Sequence, residues 1–410
     1  IHLTQNGGKN WTNVTPKKLV IGGRVDSVEP SAHDPATAYI SILRYQLGDW
    51  SPYIYRTNNY GQSWDLIVNG IPKDYPVRVV REDPIKKGLL FAGTEFGIYV
   101  SLNDGNTWSK FQKNLPITPI TDLKIYRNDL VISTMGRSFW ILDDINFLRN
   151  EINKSNPFVV KPSEAIRYRY NIPQIKINNY LEPGVFIDYY LGKDDYEKIS
   201  ISIFNEKGRL INFFTNNSDN NKDISDYNMQ MNEFINTKTP LVTTKEGYNR
   251  FRWDLRHEGI VNKDKSKNIK GPFVKPGKYK VQVSVDQQFL ISNEFSVLKD
   301  PNSDVSQNTL IELEKFQLDL LEKIKRAINI KNEIKIYKSK KGLSKAKREK
   351  FNKILDELET KDGNYMQPML IDQLKYLYSM VNKADQVLGE DAYNRHKELS
   401  IQLEVITKKL

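Results

Sequence analysis

Residues 1–150 alternate short apolar runs with Gly, Pro and Asn clusters, a pattern that predicts an all-β region. Residues 165–300 read as strands too: VFIDYYL, KISISIF, NRFRWDLR, KYKVQVSV and FLISNEFSVL. A polar stretch over 216–228, NNSDNNKDISDYN, interrupts them and predicts a loop. Beyond about residue 306 the period changes. Leu310, Leu313, Phe316, Leu320, Ile324 and Ile328 recur at three- and four-residue steps, one apolar helical stripe, with further helices expected near 343–360, 367–386 and 389–409. Asp300-Pro301 marks the change, because proline restricts the residue before it. The expected organisation is multidomain, β then α: residues 1–150, a linker over 151–164, a β-sandwich over 165–300 and a helical bundle over 301–410.

An octapeptide recurs in the first region: TQNGGKNW (4–11), TNNYGQSW (57–64) and SLNDGNTW (101–108). Repeats that start 53 and then 44 residues apart and carry several strands point to β-propeller blades, each a four-stranded antiparallel sheet. The chemistry fits a hairpin corner. Gly8, Gly61 and Gly105 supply positive φ. Asn6, Asn59 and Asn103 offer a side-chain oxygen to backbone N–H groups, and Thr4, Thr57 and Ser101 a hydroxyl. Trp11, Trp64 and Trp108 are expected to cover the turn from below.

These residues resemble the Asp-box, or BNR repeat, of sialidases, xyloglucanase-type glycosidases and sortilin-type propellers, with Asn where that family usually has Asp. The segments LLFAGTEFGIYVSLNDGNTW, NLPITPITDL and DLVISTMGRSFWILDDINFLR are similar to a bacterial sortilin-like group often labelled glycosyl hydrolase. RFRWDLR and GPFVKPGKYKVQV resemble the sandwich domain of the same group. Met135 stands where that group usually has His, before Gly136-Arg137. The resemblance implies about three C-terminal blades of a partial propeller, a fibronectin- or immunoglobulin-like sandwich and a helical tail. It also implies export to the periplasm, cell surface or medium, although no signal peptide is visible in the chain, which starts at Ile1. Three blades do not close a ring, so missing N-terminal blades or a partner chain are expected to complete it, and an unpaired strand edge is expected near residues 1–30. In such families the box is structural and lies away from the ligand face.

With the box as the turn between the third and fourth strands, the turns between second and third strands fall on the opposite face: RYQLGDWSP (44–52), GTEFG (93–97) and TMGRS (134–138). The loop GGRVD (22–26) enters a first strand from that side. Arg24, Arg44, Asp49, Trp50, Glu95 and Arg137 are therefore the candidate binding residues. A glycosidase needs two carboxylates about 5–10 Å apart, for which Glu95 and Asp49 are the candidates.

Composition narrows the chemistry further. The chain has no cysteine, so thiolate metal sites, disulfides and cysteine nucleophiles are excluded. His2, His33, His257 and His396 show no metal-ligand spacing, and no nucleotide or nucleophile-elbow motif appears, so no cofactor and no metal are expected. His33 reads as a turn residue. The net charge of +11 comes from interleaved acids and bases without a nucleic-acid module, and no apolar run reaches the roughly 18–20 residues of a membrane span. The basic run over 335–353 reads as a solvated loop between helices. Trp253 reads as core, with Asp254 and Arg256 as a surface rung. The leading functional reading is a non-catalytic protein that binds a peptide, protein or glycan on the propeller loop face. The alternative is a sialidase- or xyloglucanase-like glycoside hydrolase, and a third is a scaffold whose bundle pairs with another subunit.

Overall fold

A computed structural model describes residues 1–19, 22–150, 157–169, 183–194, 196–216, 242–261, 268–286, 288–339, 343–363 and 365–410, without the side chains of 288–293. The polar stretch expected over 216–228 lies outside these beyond Asn216. The chain forms two compact units, Ile1–Ile152 and Asn153–Leu410.

In the first unit, β1 (His2–Leu3) and β2 (Thr12–Asn13) form an isolated hairpin. A four-stranded meander follows: β3 (Arg24–Pro30), β4 (Ala38–Leu43), β5 (Ile54–Thr57) and β6 (Asp65–Leu66). A second contains β7 (Val77–Glu82), β8 (Leu90–Thr94), β9 (Gly97–Ser101) and β10 (Ser109–Lys110). The third sheet has only three strands, β11 (Ile120–Tyr126), β12 (Asp129–Thr134) and β13 (Phe139–Leu142). All neighbours are antiparallel, and no sheet closes into a barrel among the described residues. The sheets stack face to face. Leu90 and Ala92 of β8 join a core shared with Tyr39 and Ile54 of the first sheet, while Phe91 joins one shared with Ile120 and Ile132 of the third. Burial on both faces explains why β8 and β9 are buried at every residue.

Each octapeptide joins the last two strands of its sheet with one geometry. The leading hydroxyl accepts from the glycine N–H at 2.9 Å in all three, and the Asn Oδ1 accepts from the backbone N–H four residues on at 3.0 Å. The tryptophans do something other than cover their own turns. Trp64 Nε1 donates to the Val14 carbonyl and Trp108 Nε1 to the Ile67 carbonyl, each at 2.8 Å, so each reaches the segment just after the preceding sheet's last strand. The glycine makes the same approach: a Cβ on Gly105 would stand 2.4 Å from Ile67 Cδ1, and one on Gly61 would stand 2.6 Å from Val14 Cβ. The corner therefore locks consecutive sheets together, because the indole is large enough to bridge them and the absent Cβ lets them close. Trp11 is 60% exposed.

In the second unit, β14 (Phe158–Val159) and β15 (Ala165–Arg167) precede β16 (Val185–Leu191), β17 (Ile199–Asn205), β18 (Leu210–Thr215), β19 (Gly247–Trp253), β20 (Gly277–Val285) and β21 (Gln288–Lys299). They build a three-stranded sheet, β14-β16-β19, and a five-stranded sheet, β15-β21-β20-β17-β18, over one shared core. Residues 151–164, expected as a linker, thus include a strand of the first of these sheets. Trp253 is fully buried against Tyr279 and Phe295. Arg256 is not a surface residue as expected. It lies 3.7 Å over the Phe273 ring and donates to the Gly271 carbonyl, because Leu255 takes a left-handed conformation and breaks the strand alternation.

Four helices follow: α1 (Gln307–Ser339), α2 (Lys345–Leu358), α3 (Leu370–Val381) and α4 (Glu390–Lys408). The apolar stripe of α1 is buried throughout. The basic run expected as a loop is mostly helix, ending α1 and beginning α2, with Ser344 capping α2. Lys, Arg and Ala favour helix and need no burial to form it. The helices dock on the sheets through Tyr378, whose hydroxyl donates to the Lys270 carbonyl at 2.7 Å, and through Asp385. The Asp385 carboxylate holds both Arg167 and Arg169. No helix among the described residues is long and apolar enough to cross a membrane.

Candidate functional site

The first strand of each of the three larger sheets in the first unit carries a bulge at the same place. Asp26, Arg78 and Thr121 are the extra residues, between Val25 and Ser27, Val77 and Val79, and Ile120 and Asp122. A bulge re-aims the side chain it adds. At the second sheet that side chain is Arg78, which reaches Glu95 at 2.5 Å, with both side chains nearly buried. Arg78 also lies 5.7 Å over the Tyr45 ring, and its Nε has no hydrogen-bond partner. Its backbone carbonyl accepts from Ser41 Oγ of the neighbouring sheet at 2.7 Å, which fixes the bulge between two sheets.

The loop from β4 to β5 packs beside this pair. Arg44 Nε donates to Asp49 Oδ2, and the same carboxylate accepts from the Ser51 N–H and the Tyr53 hydroxyl. Burial alone would raise the Asp49 pKa, but these donors outweigh it, Arg44 foremost, and hold the carboxyl down at about 2. Trp50 stands 46% exposed. Tyr45 braces it at 5.9 Å and Phe96, from the adjoining sheet, stacks on it at 6.4 Å. Phe96 in turn packs on Tyr75 at 4.7 Å. The result is an aromatic ledge spanning two sheets above a clamped ion pair.

Of the sequence candidates, Arg44, Asp49, Trp50 and Glu95 come together here through Tyr45, Arg78 and Phe96. Arg24 is exposed beside this loop: it pairs with Asp26 at 2.6 Å, and a Cβ on its neighbour Gly23 would lie 3.2 Å from Arg44 Cγ. Arg137 is exposed in the third sheet's turn, where its carbonyl accepts from Trp140 Nε1, and it is not brought to the ledge. Arg78, Tyr53 and Tyr75 were not singled out from sequence. The available hint for Arg78 was a cation inside the apolar run VRVVRE. His33 lies in the β3–β4 turn, where its N–H donates to Ser31 Oγ at 3.1 Å, and its Nε2 reaches the Asp83 carbonyl of the next sheet at 2.8 Å. Among the described residues no cluster of three or more His, Asp or Glu could hold a metal ion.

No family model matches the chain, and no curated protein matches it. Solved structures do. One titled "YCF48 bound to D1 peptide" matches at 16% identity with a TM-score of 0.27, over 47% of this chain and 58% of that one. The GH74 xyloglucanase from Xanthomonas campestris matches at 15% identity and TM-score 0.27, over 35% and 24%. An ancestral GH74 enzyme matches at 13% and 0.24, over 68% and 38%. The chain thus spans less than two thirds of each, and these scores fall short of a shared overall fold.

Proposed function

We propose that the first unit is a set of Asp-box propeller blades of the sortilin-like kind, in an exported protein that binds a peptide or protein segment without catalysis. The two-sheet region of the second unit is then its fibronectin- or immunoglobulin-like domain. Further blades, from more chain or from a partner, would complete the ring. The observation that carries the binding reading is Trp50: a large exposed indole held rigid by Tyr45 and Phe96, beside groups that cannot easily move. Rigid aromatic anchors of this kind dominate binding surfaces.

The carboxylates support binding over hydrolysis. Asp49 stays ionised far below neutral pH and accepts three donors, so it has no proton to give as a general acid. Glu95 faces an Arg78 nitrogen at 2.5 Å as an ion pair, although its Oε1 makes no aligned hydrogen bond. The glycosidase alternative keeps one observation in its favour, since a flat exposed indole beside Glu95 also suits a sugar ring.

A peptide selection against the 410-residue chain tests the first reading. Selected peptides should lose about thirtyfold in affinity for Trp50→Ala, the size of a binding hot spot. Undiminished binding to that variant would defeat it. Hydrolysis of xyloglucan or a sialoside by the chain, lost in Glu95→Gln, would favour the enzyme instead.

A further inference from the structure

The second unit contains a cleft of about 630 Å³, within the range of ligand sites. One wall is the turn between β17 and β18, another the start of β20, and the third the first turns of α1. Its floor is apolar, with buried Ile211 and Tyr279 and more exposed Ile311 and Leu318. Five cations face it: Lys207 and Arg209 from the turn, Lys275 and Lys278 from β20 and the residues before it, and Lys315 from α1. Against them stand Glu206 and Glu314.

Glu314 is already committed, since its Oε1 binds His257 Nε2 at 2.8 Å and accepts from the Lys275 N–H at 3.0 Å. Among the described residues, none of the five cations is ion-paired. Farther along the same helix the opposite holds: Lys323 pairs with Asp319, Arg326 with Glu404, and Lys331 and Lys335 with Glu359. The flank of α1 borders the cleft from its first residue, Gln307, to Leu318.

We propose that this cleft binds an acidic peptide segment, one with carboxylates on either side of an apolar side chain. The unpaired cations sit on three separate walls, so they match charges strung along a chain rather than one compact anion. Four of the five are lysines, whose point charge imposes no fixed fork geometry of the kind that arginine uses for phosphate. The apolar floor accepts the side chain between the charges.

The test uses the 410-residue chain and fluorescence anisotropy with a fluorescein-labelled Glu-Asp-Phe-Glu-Asp-Leu peptide, its Gln/Asn counterpart and a labelled sulfated oligosaccharide. The acidic probe should bind, and more weakly as salt rises from about 50 to about 300 mM. The amide counterpart should bind at least about tenfold more weakly. Lys207→Glu/Lys278→Glu should lower affinity for the acidic probe by about tenfold or more, whereas Lys347→Glu/Lys350→Glu, the same charge change on exposed α2, should change it less than about threefold. Trp50→Ala should leave it unchanged, which separates this cleft from the aromatic ledge. Equal binding of both peptides, equal losses in the two double variants, loss with Trp50→Ala, or binding of the sulfated sugar alone would each overturn the proposal.

Discussion

Three copies of one corner that differ in burial give a graded test of what the tryptophan does. Trp108 is 4% exposed and donates to Ile67, Trp64 is half-buried and donates to Val14, and Trp11 is 60% exposed. If the indole ties sheets together, the cost of truncation follows burial. Trp108→Ala should cost about 4 kcal/mol, the usual range for a buried large aromatic. Trp11→Ala should cost within about 0.5 kcal/mol, as for an ordinary surface change. Trp64→Ala should fall between. Trp108→Phe keeps most of the packing but strands the Ile67 carbonyl, for about 1–2 kcal/mol. Hydrogen exchange on the full chain reads this locally, in β8 and β9, where both faces are buried. Their slowest amides should exchange about a thousandfold faster in Trp108→Ala, and little faster in Trp11→Ala. Equal effects at Trp11 and Trp108 would refute the tie. So would unchanged exchange in Trp108→Ala with loss of ligand binding, since that is the signature of a binding residue.

The corner glycines should separate in the same way. Gly105→Ala meets Ile67 at 2.4 Å with φ at +80, whereas Gly8→Ala at φ +90 meets nothing closer than Trp11 at 3.9 Å; urea melts should show a loss of about 2–4 kcal/mol for the first and about 1 for the second. Tyr39→Phe removes a hydroxyl that donates to Asp104 at 2.5 Å between the first two sheets, and should cost about 1–2 kcal/mol by the same melts. In the second unit, Asp385→Asn leaves two half- or fully buried guanidiniums uncompensated and should cost about 3–5 kcal/mol. Burial raises the Asp385 pKa, but Arg167 and then Arg169 outweigh it and hold it below the ordinary 3.8. The stability it contributes is therefore full above about pH 4 and lost as pH falls through its depressed folded value, so the acid limb of the wild-type melt should flatten in Asp385→Asn.

Periodicity carried the local elements. The octapeptide steps located three hairpin corners, and the Leu310–Ile328 stripe located the buried face of α1. What periodicity could not carry is any pairing across sheets. Trp64 and Val14 are 50 residues apart, Trp108 and Ile67 are 41, and nothing local in either segment names its partner. Arg78 escaped for a related reason. In a regular strand its side chain would follow the alternation of VRVVRE, but the bulge between Val77 and Val79 changes its aim, and bulges leave no fixed sequence mark. Arg256 follows the same logic, because one left-handed residue at Leu255 ends the alternation that placed it at the surface. The basic run over 335–353 misled through its charge, when the relevant property of Lys, Arg and Ala was helix propensity.

The contacts between sheets are unevenly distributed, and that bears on where function can reside. At the corner end, the second and third corners also rest on the first turn of their own sheets: the Tyr60 N–H donates to the Ala36 carbonyl, and the Asp104 N–H to the Gly88 carbonyl. Arg56 and Tyr39 of the first sheet both bind Asp104 of the second. Arg149, after the third sheet, grips the fully buried Asp83 of the second with two nitrogens. Among the described residues, the ion pairs described at the opposite end are local. Arg44 pairs with Asp49 within one loop, and Arg78 with Glu95 within one sheet. Loops that do not hold the sheets together can change sequence at little cost to the fold. Substitutions at Asp83, Asp104 or Trp108 should therefore surface as lost stability, and those at Trp50 or Phe96 as altered binding by a protein that still melts normally. A ligand seated against the corners would lie on the side chains that hold the sheets together, whereas the ledge presents an anchor that the fold can spare.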